Sequence, residues 1–311
     1  MNILNNKMAN KQMSRKRSKE RIAYLMISPQ IIGFFVFSLY PILWAFHKAF
    51  YYFNGIPQDT YFVVFENFKR VLLEDTQYWN AWLTTFKFAL YKMPFELVLA
   101  LIIAIFLTKN IKGKGIYRAI YYLPHIISVA IVGLIFSNLF DYFGFVNAWL
   151  IKLGFIETEI SWFAEFSTSM SVLVIAGIWS TFGINVLYFI AALSNVPDEL
   201  YEAAELDGAG AWRKFTNITM PMIAPVFQTI LLLSLNGTLH TSDLMLTLSG
   251  GAPAGKTFTV MSHQVSQFVP GFATGVVNIG YGCAMSIITS IIMGAIALGY
   301  NRFSNKMQNL Y

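Results

Sequence analysis

Charged residues are scarce in this chain: of 311 residues, 12% are Asp, Glu, Lys or Arg, while 56% are hydrophobic. Soluble domains usually carry about 25% charged residues, so the polar side chains here are too few to cover the apolar surface. Cysteine is nearly absent as well, and the single thiol of Cys283 excludes an internal disulfide and a cysteine-based metal site. Lipid must therefore cover much of the surface, which predicts an integral membrane protein.

Six apolar stretches are each long enough to cross a membrane as a helix, which takes about 20 residues. They cover approximately residues 22–47, 84–108, 119–140, 171–193, 223–247 and 276–300. Helices are expected because lipid offers no hydrogen-bond partner to free backbone groups, and the sequence has no alternating strand pattern. The sequence thus predicts an all-α, polytopic membrane bundle with six transmembrane helices.

Basic residues are distributed unevenly along the chain. Residues 1–21 hold seven Lys and Arg side chains against one acid, Glu20, and most other cations lie in alternate connecting segments. By the positive-inside rule, this asymmetry predicts that the tails 1–21 and 301–311 both lie in the cytoplasm. The net charge of +6 is therefore interpreted as a topology signal and not as a nucleic-acid-binding surface.

The connection after the fourth stretch, residues 195–221, is the most informative segment between spans. Asp198 and Glu199 follow Pro197 at the beginning of an expected short helix, where acidic side chains favour the helix dipole. Gly208 is expected to end that helix. On composition alone, an ordinary acidic surface loop is the favoured interpretation.

The same segment resembles the signature loop of permease subunits in binding-protein-dependent ABC importers. That family has Glu-Ala-Ala, three residues, Gly, nine residues, Ile, one residue and Leu-Pro, and here Met220 replaces the Leu. The matching residues are Glu202, Ala203, Ala204, Asp207, Gly208, Ala209, Ile218 and Pro221. Weaker matches such as Tyr40-Pro41, Leu123-Pro124 and Gly250-Gly251-Ala252-Pro253 occur in the right order, which makes the carbohydrate-type permeases with six spans the nearest group.

The resemblance implies a type I ABC importer permease fold over residues 22–300, with 195–221 as the cytoplasmic coupling loop. It implies a second permease subunit, two cytoplasmic ATPases that bind ATP and magnesium, and an extracytoplasmic solute-binding protein that delivers a sugar or oligosaccharide. The helix within 198–210 would dock in a cleft of an ATPase. The chain itself would be neither an enzyme nor a cofactor-binding protein, and it would lie in the bacterial cytoplasmic membrane.

A phosphate-loop pattern, G-x-x-x-x-G-K-[ST], is also present in residues 250–257. A nucleotide site needs a buried strand before this loop and a helix after it. Here the segment follows the fifth apolar stretch on the expected outer side of the membrane. We therefore interpret the match as a pattern out of context.

Polar residues within the apolar stretches are candidates for function, because their burial in lipid is unfavourable. Lys92 and Glu96 lie four residues apart, on one face of the second span. Asn236, His240, Asp243 and Thr247 have the spacing of one stripe along the fifth span. Such a stripe must face protein or water.

A sugar path would combine planar polar side chains, which bind hydroxyl groups, with aromatic rings that contact C–H faces. The candidate path residues are Trp179, Asn185, Tyr188, Asn236, His240, Asp243, Lys92 and Glu96. Interhelical hydrogen bonding that merely holds the bundle together is the alternative for these residues. His240 has no second histidine or carboxylate cluster that would suit a metal, so no metal site is expected.

Two other functions are compatible with parts of this pattern. An ion-gradient-driven secondary transporter would explain six spans with buried charges, but not the signature loop, and no repeated half of the chain is evident. An ABC importer for a non-sugar solute, such as a glycerol phosphate, would keep the loop and change the cargo. A membrane enzyme lacks support, because no catalytic set of residues can be defended.

Overall fold

The structure is a computed structural model that describes residues 21–109, 111–269, 271–273 and 275–308. Of the predicted tail 1–21, only Arg21 lies within these ranges, and residues 309–311 of the predicted tail 301–311 lie outside them. In the described part, the one sheet is a two-stranded antiparallel pairing of β1 (Tyr51–Tyr52) with β2 (Tyr61–Phe62). Nearly all other regular structure is helical.

The helices are numbered here in chain order. They are α1 (Arg21–Lys48), α2 (Glu66–Lys69, continued as a π-helix over Arg70–Glu74), α3 (Thr76–Thr108), α4 (Lys114–Ile126), α5 (Val129–Leu139), α6 (Phe145–Lys152), α7 (Phe166–Leu193), α8 (Asp198–Leu206), α9 (Ala211–Leu239), α10 (Asp243–Leu248), α11 (Val260–Phe268) and α12 (Ile279–Gln308). Each of α1, α3, α7, α9 and α12 is long and apolar enough to cross a membrane. The predicted all-α membrane fold is confirmed.

The third predicted span, 119–140, is not one continuous helix. α4 and α5 meet at an angle of 92°. Within the described residues, the candidate spans number six only if this pair is counted as one broken span. Pro124 lacks the N–H that would continue the hydrogen-bond ladder, and Ile127 is extended. Ser128 then starts α5, with its carbonyl oxygen 3.0 Å from the backbone nitrogen of Val132.

The fifth predicted span, 223–247, is also interrupted. α9 ends before His240, and α10 begins at Asp243. In the gap the carbonyl oxygen of Thr241 accepts a hydrogen bond from the hydroxyl of Thr259, at 2.6 Å. A side chain from a later segment therefore satisfies a backbone group that a continuous helix would have satisfied itself.

α7 is the central helix of the bundle: it packs most extensively along α3 and also contacts α4, α5, α9 and α10. Small residues allow the helices to approach closely, as at Ala100 and Ala104 of α3, which are fully buried. At Gly183 of α7, an added Cβ would lie 1.9 Å from the carbonyl oxygen of Tyr121. α4 therefore crosses α7 at near backbone contact, and only glycine permits that distance.

α1 differs from the other spans in its exposure. None of its most apolar window is buried within the chain, whereas 56% of the corresponding window of α7 is buried. Its C-terminal part, Tyr40–Lys48, contacts α12. The rest of its apolar surface must be covered by lipid or by another protein.

Candidate functional site

A cavity of about 450 Å³, lined by both polar and apolar side chains, lies between α3, α7 and α9, with walls completed by α10 and by the junction of α4 and α5. The path residues predicted from the sequence that line it are Lys92, Glu96, Asn185, Tyr188, His240 and Asp243. Trp179 does not line it and packs instead against Phe136, with ring centroids 5.6 Å apart. Asn236 does not line it either and is exposed on α9.

The predicted neighbours Lys92 and Glu96 form a buried ion pair. Lys92 Nζ donates to Glu96 Oε2 at 2.7 Å and to Thr238 Oγ1 at 3.1 Å. Glu96 Oε1 accepts from Thr181 Oγ1 and from Asn185 Nδ2, both at 2.7 Å. The lysine and glutamate side chains are 5% and 1% exposed. One network therefore joins α3, α7 and α9, and each buried charge has partners, as burial of a charge requires.

The interruption between α9 and α10 presents polar groups to the cavity. His240 Nδ1 lies 2.9 Å from the carbonyl oxygen of Asn236, so Nδ1 carries the proton of the neutral ring and Nε2 is an acceptor. Asp243 is exposed and accepts from Ser242 Oγ at 2.9 Å. The Ser234 hydroxyl is buried and has no hydrogen-bond partner among the described residues. The predicted single stripe through Asn236, His240, Asp243 and Thr247 is wrong, because the last three lie beyond the end of α9.

Sequence reasoning missed several polar residues of the cavity wall: His125, Ser180, Thr181, Ser234, Thr238, Thr241 and Ser242. For some of them, the spacing in the sequence could have indicated a shared polar face. Thr181 and Asn185 are four residues apart in one apolar stretch, as are Ser234 and Thr238 in another, so each pair shares a helix face. The packing of three helices decides that Thr181 and Asn185 reach Glu96 and that Thr238 reaches Lys92.

The 195–221 loop contains the expected short helix, α8, which ends in a Schellman motif. The N–H of Gly208 donates to the carbonyl of Glu205 at 3.0 Å, and the N–H of Ala209 donates to that of Ala204 at 2.8 Å. Gly208 has a φ of 74°, a left-handed conformation that favours glycine. The predicted end of the helix at this glycine is present, with its physical cause.

One side of α8 contacts the segment that follows it in the chain, and the other side is exposed. Tyr201 hydrogen-bonds through its hydroxyl to Thr219 Oγ1 at 2.9 Å, and Lys214 forms an ion pair with Glu205 that lowers the pKa of this carboxyl. Leu206 is 91% exposed. The predicted coupling residues Glu202, Ala203, Asp207, Gly208 and Pro221 are exposed, and Ala204 and Ala209 are half-buried.

The phosphate-loop pattern at residues 250–257 folds into turns, preceded by α10 and not by a strand. Thr257, which would bind magnesium in a nucleotide site, is fully buried, and its hydroxyl donates to the carbonyl of Ala252 at 2.8 Å. α11 begins only at Val260. The geometry lacks the strand, loop and helix that phosphate binding needs, in agreement with the interpretation as a pattern out of context.

A second polar cluster surrounds Asp75, immediately before α3. Asp75 Oδ1 accepts from the backbone N–H of Tyr78 at 2.9 Å, and Oδ2 accepts from the Tyr281 hydroxyl and lies 3.4 Å from His263 Nε2. Burial acts to raise the pKa of Asp75, but the hydrogen bonds from His263, Tyr281 and the Tyr78 backbone outweigh it and lower the pKa to about 2. This carboxylate therefore ties α3 to α11 and α12.

Two relatives match nearly the whole chain. The arabinooligosaccharides transport system permease protein AraP of Bacillus subtilis is 31% identical over 285 residues, which cover 90% of this chain and 88% of the relative. The trehalose/maltose transport system permease protein MalF of Thermococcus litoralis is 28% identical over 295 residues, which cover 94% of this chain and 97% of the relative.

A solved structure shares the fold. A chain of a bacterial ABC transporter involved in the import of the acidic polysaccharide alginate aligns with a TM-score of 0.80 at 21% identity, covering 95% of this chain and 99% of that chain. The model of the family described as binding-protein-dependent transport system inner membrane component matches residues 13–306. The resemblance inferred from the signature loop is thus confirmed, and the chain belongs to the family of inner membrane components of binding-protein-dependent transport systems.

Proposed function

We propose that this chain is one permease subunit of an ATP-driven importer that carries a sugar or oligosaccharide across the bacterial inner membrane. The observation that carries the proposal is the family match over residues 13–306. The names of the relatives support a saccharide cargo, because they specify arabino-oligosaccharides for one and trehalose and maltose for the other. In this proposal the chain is a transport component, and ATP hydrolysis belongs to partner subunits.

α8 is the proposed contact with an ATPase. Leu206 and Trp212 are 91% and 75% exposed, and a partner cleft that covered them would gain about 1.5–3 kcal/mol for each large apolar side chain. The Tyr201–Thr219 hydrogen bond and the Lys214–Glu205 ion pair link α8 to the beginning of α9. A displacement of α8 would therefore be passed on to α9.

α9 in turn lines the cavity through Ser234 and Thr238. ATP binding closes a pair of ATPases, and through α8 and α9 this closure would favour one conformation of the helix bundle over another. The cavity between α3, α7 and α9 is the proposed path for the solute. Lys92 and Glu96 are satisfied by the chain itself, so we assign them to the structure of the wall, while Asn185, Ser234 and His240 can bind sugar hydroxyls.

The proposal also assigns the partners and the topology. Two cytoplasmic ATPases bind ATP and magnesium, an extracytoplasmic binding protein delivers the solute, and a second permease subunit completes the path. Both termini and the 195–221 loop lie in the cytoplasm, as the distribution of basic residues predicts.

Cysteine cross-linking tests the coupling contact. Cys283 is buried and is the free cysteine to be removed, so a Cys283→Ser background allows a thiol to be introduced at one chosen exposed site. In the assembled importer we expect Ala203→Cys, on the exposed face of α8, to cross-link to a nucleotide-hydrolysing subunit. The measurement is identification of the cross-linked partner by mass spectrometry.

Glu157→Cys is the matched control, because Glu157 is also exposed but lies between α6 and α7, on the proposed outer side. This thiol should react with a membrane-impermeant reagent from outside and should not link to an ATPase. The proposal fails if Ala203→Cys links only to lipid, or if both positions capture the ATPase equally.

A further inference from the structure

The charges in the cavity wall bear on which saccharides can enter it. Resting on the proposed function, we infer that the cavity accepts neutral saccharides and discriminates against acidic ones. Among the described residues that line it, the ionisable groups are Lys92, Glu96, His125, His240 and Asp243. The inference follows from how these groups are paired.

Lys92 is not available to a ligand anion. Proteins usually bind carboxylates and phosphates through Arg or Lys, and Lys92 is the one such residue among the described lining residues. Its ammonium group lies 2.7 Å from Glu96, and its side chain is 5% exposed. An anionic ligand would have to displace Glu96 and leave that carboxylate buried without its cation, which is strongly unfavourable.

Asp243 gives the wall a net negative charge. Lys92 and Glu96 cancel each other, so when the histidines are neutral the Asp243 carboxylate is the uncompensated group among the described lining residues. It is exposed. A ligand carboxylate or phosphate within a few ångströms of it would be repelled, whereas a neutral hydroxyl could donate a hydrogen bond to it.

The remaining polar groups suit hydroxyls rather than anions. Ser234 has a buried hydroxyl without a partner in the described chain, and a sugar hydroxyl can donate to it or accept from it. His240 presents Nε2 as an acceptor, since Nδ1 is engaged with the Asn236 carbonyl. With the ring neutral, a carboxylate, which only accepts, cannot bond to that nitrogen, but a sugar hydroxyl can.

The shared fold does not decide this question. The structural neighbour comes from an importer of the acidic polysaccharide alginate, but it is only 21% identical to this chain. Within one fold, ligand charge preference is set by the side chains of the site. Acidic glycans and a glycerol phosphate carry anionic groups that proteins usually bind through Arg or Lys, and Lys92 is paired with Glu96.

The inference is tested by equilibrium binding of saccharides to the membrane complex of permease and ATPase subunits, reconstituted in nanodiscs without the binding protein. The probes are maltopentaose, 1,4-linked galactopentaose and the same two oligomers carboxylated at C6, at pH 8, where ordinary histidines are neutral. We expect the neutral form of a pair to bind about tenfold more tightly than its carboxylated form. Asp243→Asn should reduce the preference for the neutral over the carboxylated probe about fivefold. Thr241→Lys, which adds a cation to the wall, should reduce this preference further.

Glu157→Gln removes an exposed carboxylate outside the cavity and should leave the ratio unchanged, as the matched control. Carboxylated probes that bind the unmodified importer as tightly as neutral ones would overturn the inference and leave the saccharide function standing. If no saccharide binds and the importer with its binding protein takes up none, the proposed function itself is wrong.

Discussion

At the scale of single residues, Glu96 prevents Lys92 from acting as a free cation in the cavity wall. It neutralises Lys92 from the same helix and accepts hydrogen bonds from Thr181 and Asn185 of α7. The spacing of Lys92 and Glu96 in the sequence predicts that they share a helix face. The two α7 partners cannot be predicted in this way, because their contact depends on how α3 and α7 are packed.

Removal of the Glu96 charge tests the energetic weight of the pair. Glu96→Gln keeps the shape of the side chain but leaves the Lys92 ammonium buried without its counter-ion, and this should lower the free energy of unfolding by about 3–5 kcal/mol. Unfolding in mixed micelles by titration with a denaturing detergent measures the loss. The double variant Lys92→Met, Glu96→Gln should recover most of it, since no unpaired charge remains. If the loss in free energy of unfolding of the double variant equalled the sum of the losses of the two single variants, an unpaired buried charge would not be the cause.

Asp75 predicts a pH dependence of stability. Its pKa in the folded chain is lowered from 3.8 to about 2, so the carboxylate stabilises the folded state above pH 3.8 and this contribution is lost as the pH falls towards 2. The difference in unfolding midpoint between the unmodified chain and Asp75→Asn should therefore shrink over this interval. Tyr281→Phe removes one hydrogen-bond donor to Asp75 and should move the loss to higher pH. A difference that stays constant down to pH 2 would refute the assignment.

At the scale of secondary-structure elements, local signals explain α8 better than they explain α9. The acidic first turn and Gly208 predict the beginning and end of α8 from nearby residues. The end of α9 depends instead on Thr259, whose hydroxyl bonds to the Thr241 carbonyl from another segment. Apolar composition continues past this break, so periodicity predicted one helix where the structure has two.

Gly208→Val tests the helix end that the coupling contact needs. No atom lies within 4 Å of an added Cβ at Gly208, so the expected damage comes from its φ of 74° and not from crowding. A left-handed conformation costs about 1–2 kcal/mol for a residue with a side chain, which is a factor of about 5–30 in the population of the native loop. Uptake per ATP hydrolysed, measured in proteoliposomes, should fall accordingly.

Gly210→Val is the matched control for this substitution. Gly210 is also free of contacts around an added Cβ, but its φ is −70° and its ψ is 167°, which any residue can adopt. Uptake per ATP hydrolysed should therefore be nearly unchanged in the Gly210→Val variant. Equal loss in both variants would mean that the backbone conformation at Gly208 is not the cause.

At the scale of the whole molecule, the bundle buries its spans unequally. α7 lies at the centre, while the most apolar window of α1 has no buried residues within the chain. The cavity borders α10 and the α4–α5 junction as well as three long helices, so both interrupted spans contribute to its wall. The breaks that the sequence did not predict are thus part of the construction of the candidate site.

The sequence by itself determined that the chain is a helical membrane protein and which family it belongs to. Both follow from local information: long apolar stretches that need lipid, and the fixed spacing of residues 202–221. The tertiary structure decided which polar residues meet, bringing Thr181, Asn185 and Thr238 to the Lys92–Glu96 pair and leaving Trp179 and Asn236 outside the cavity. The physical reason is that a buried polar group is satisfied by whichever partner the packing brings within reach, regardless of its distance along the chain.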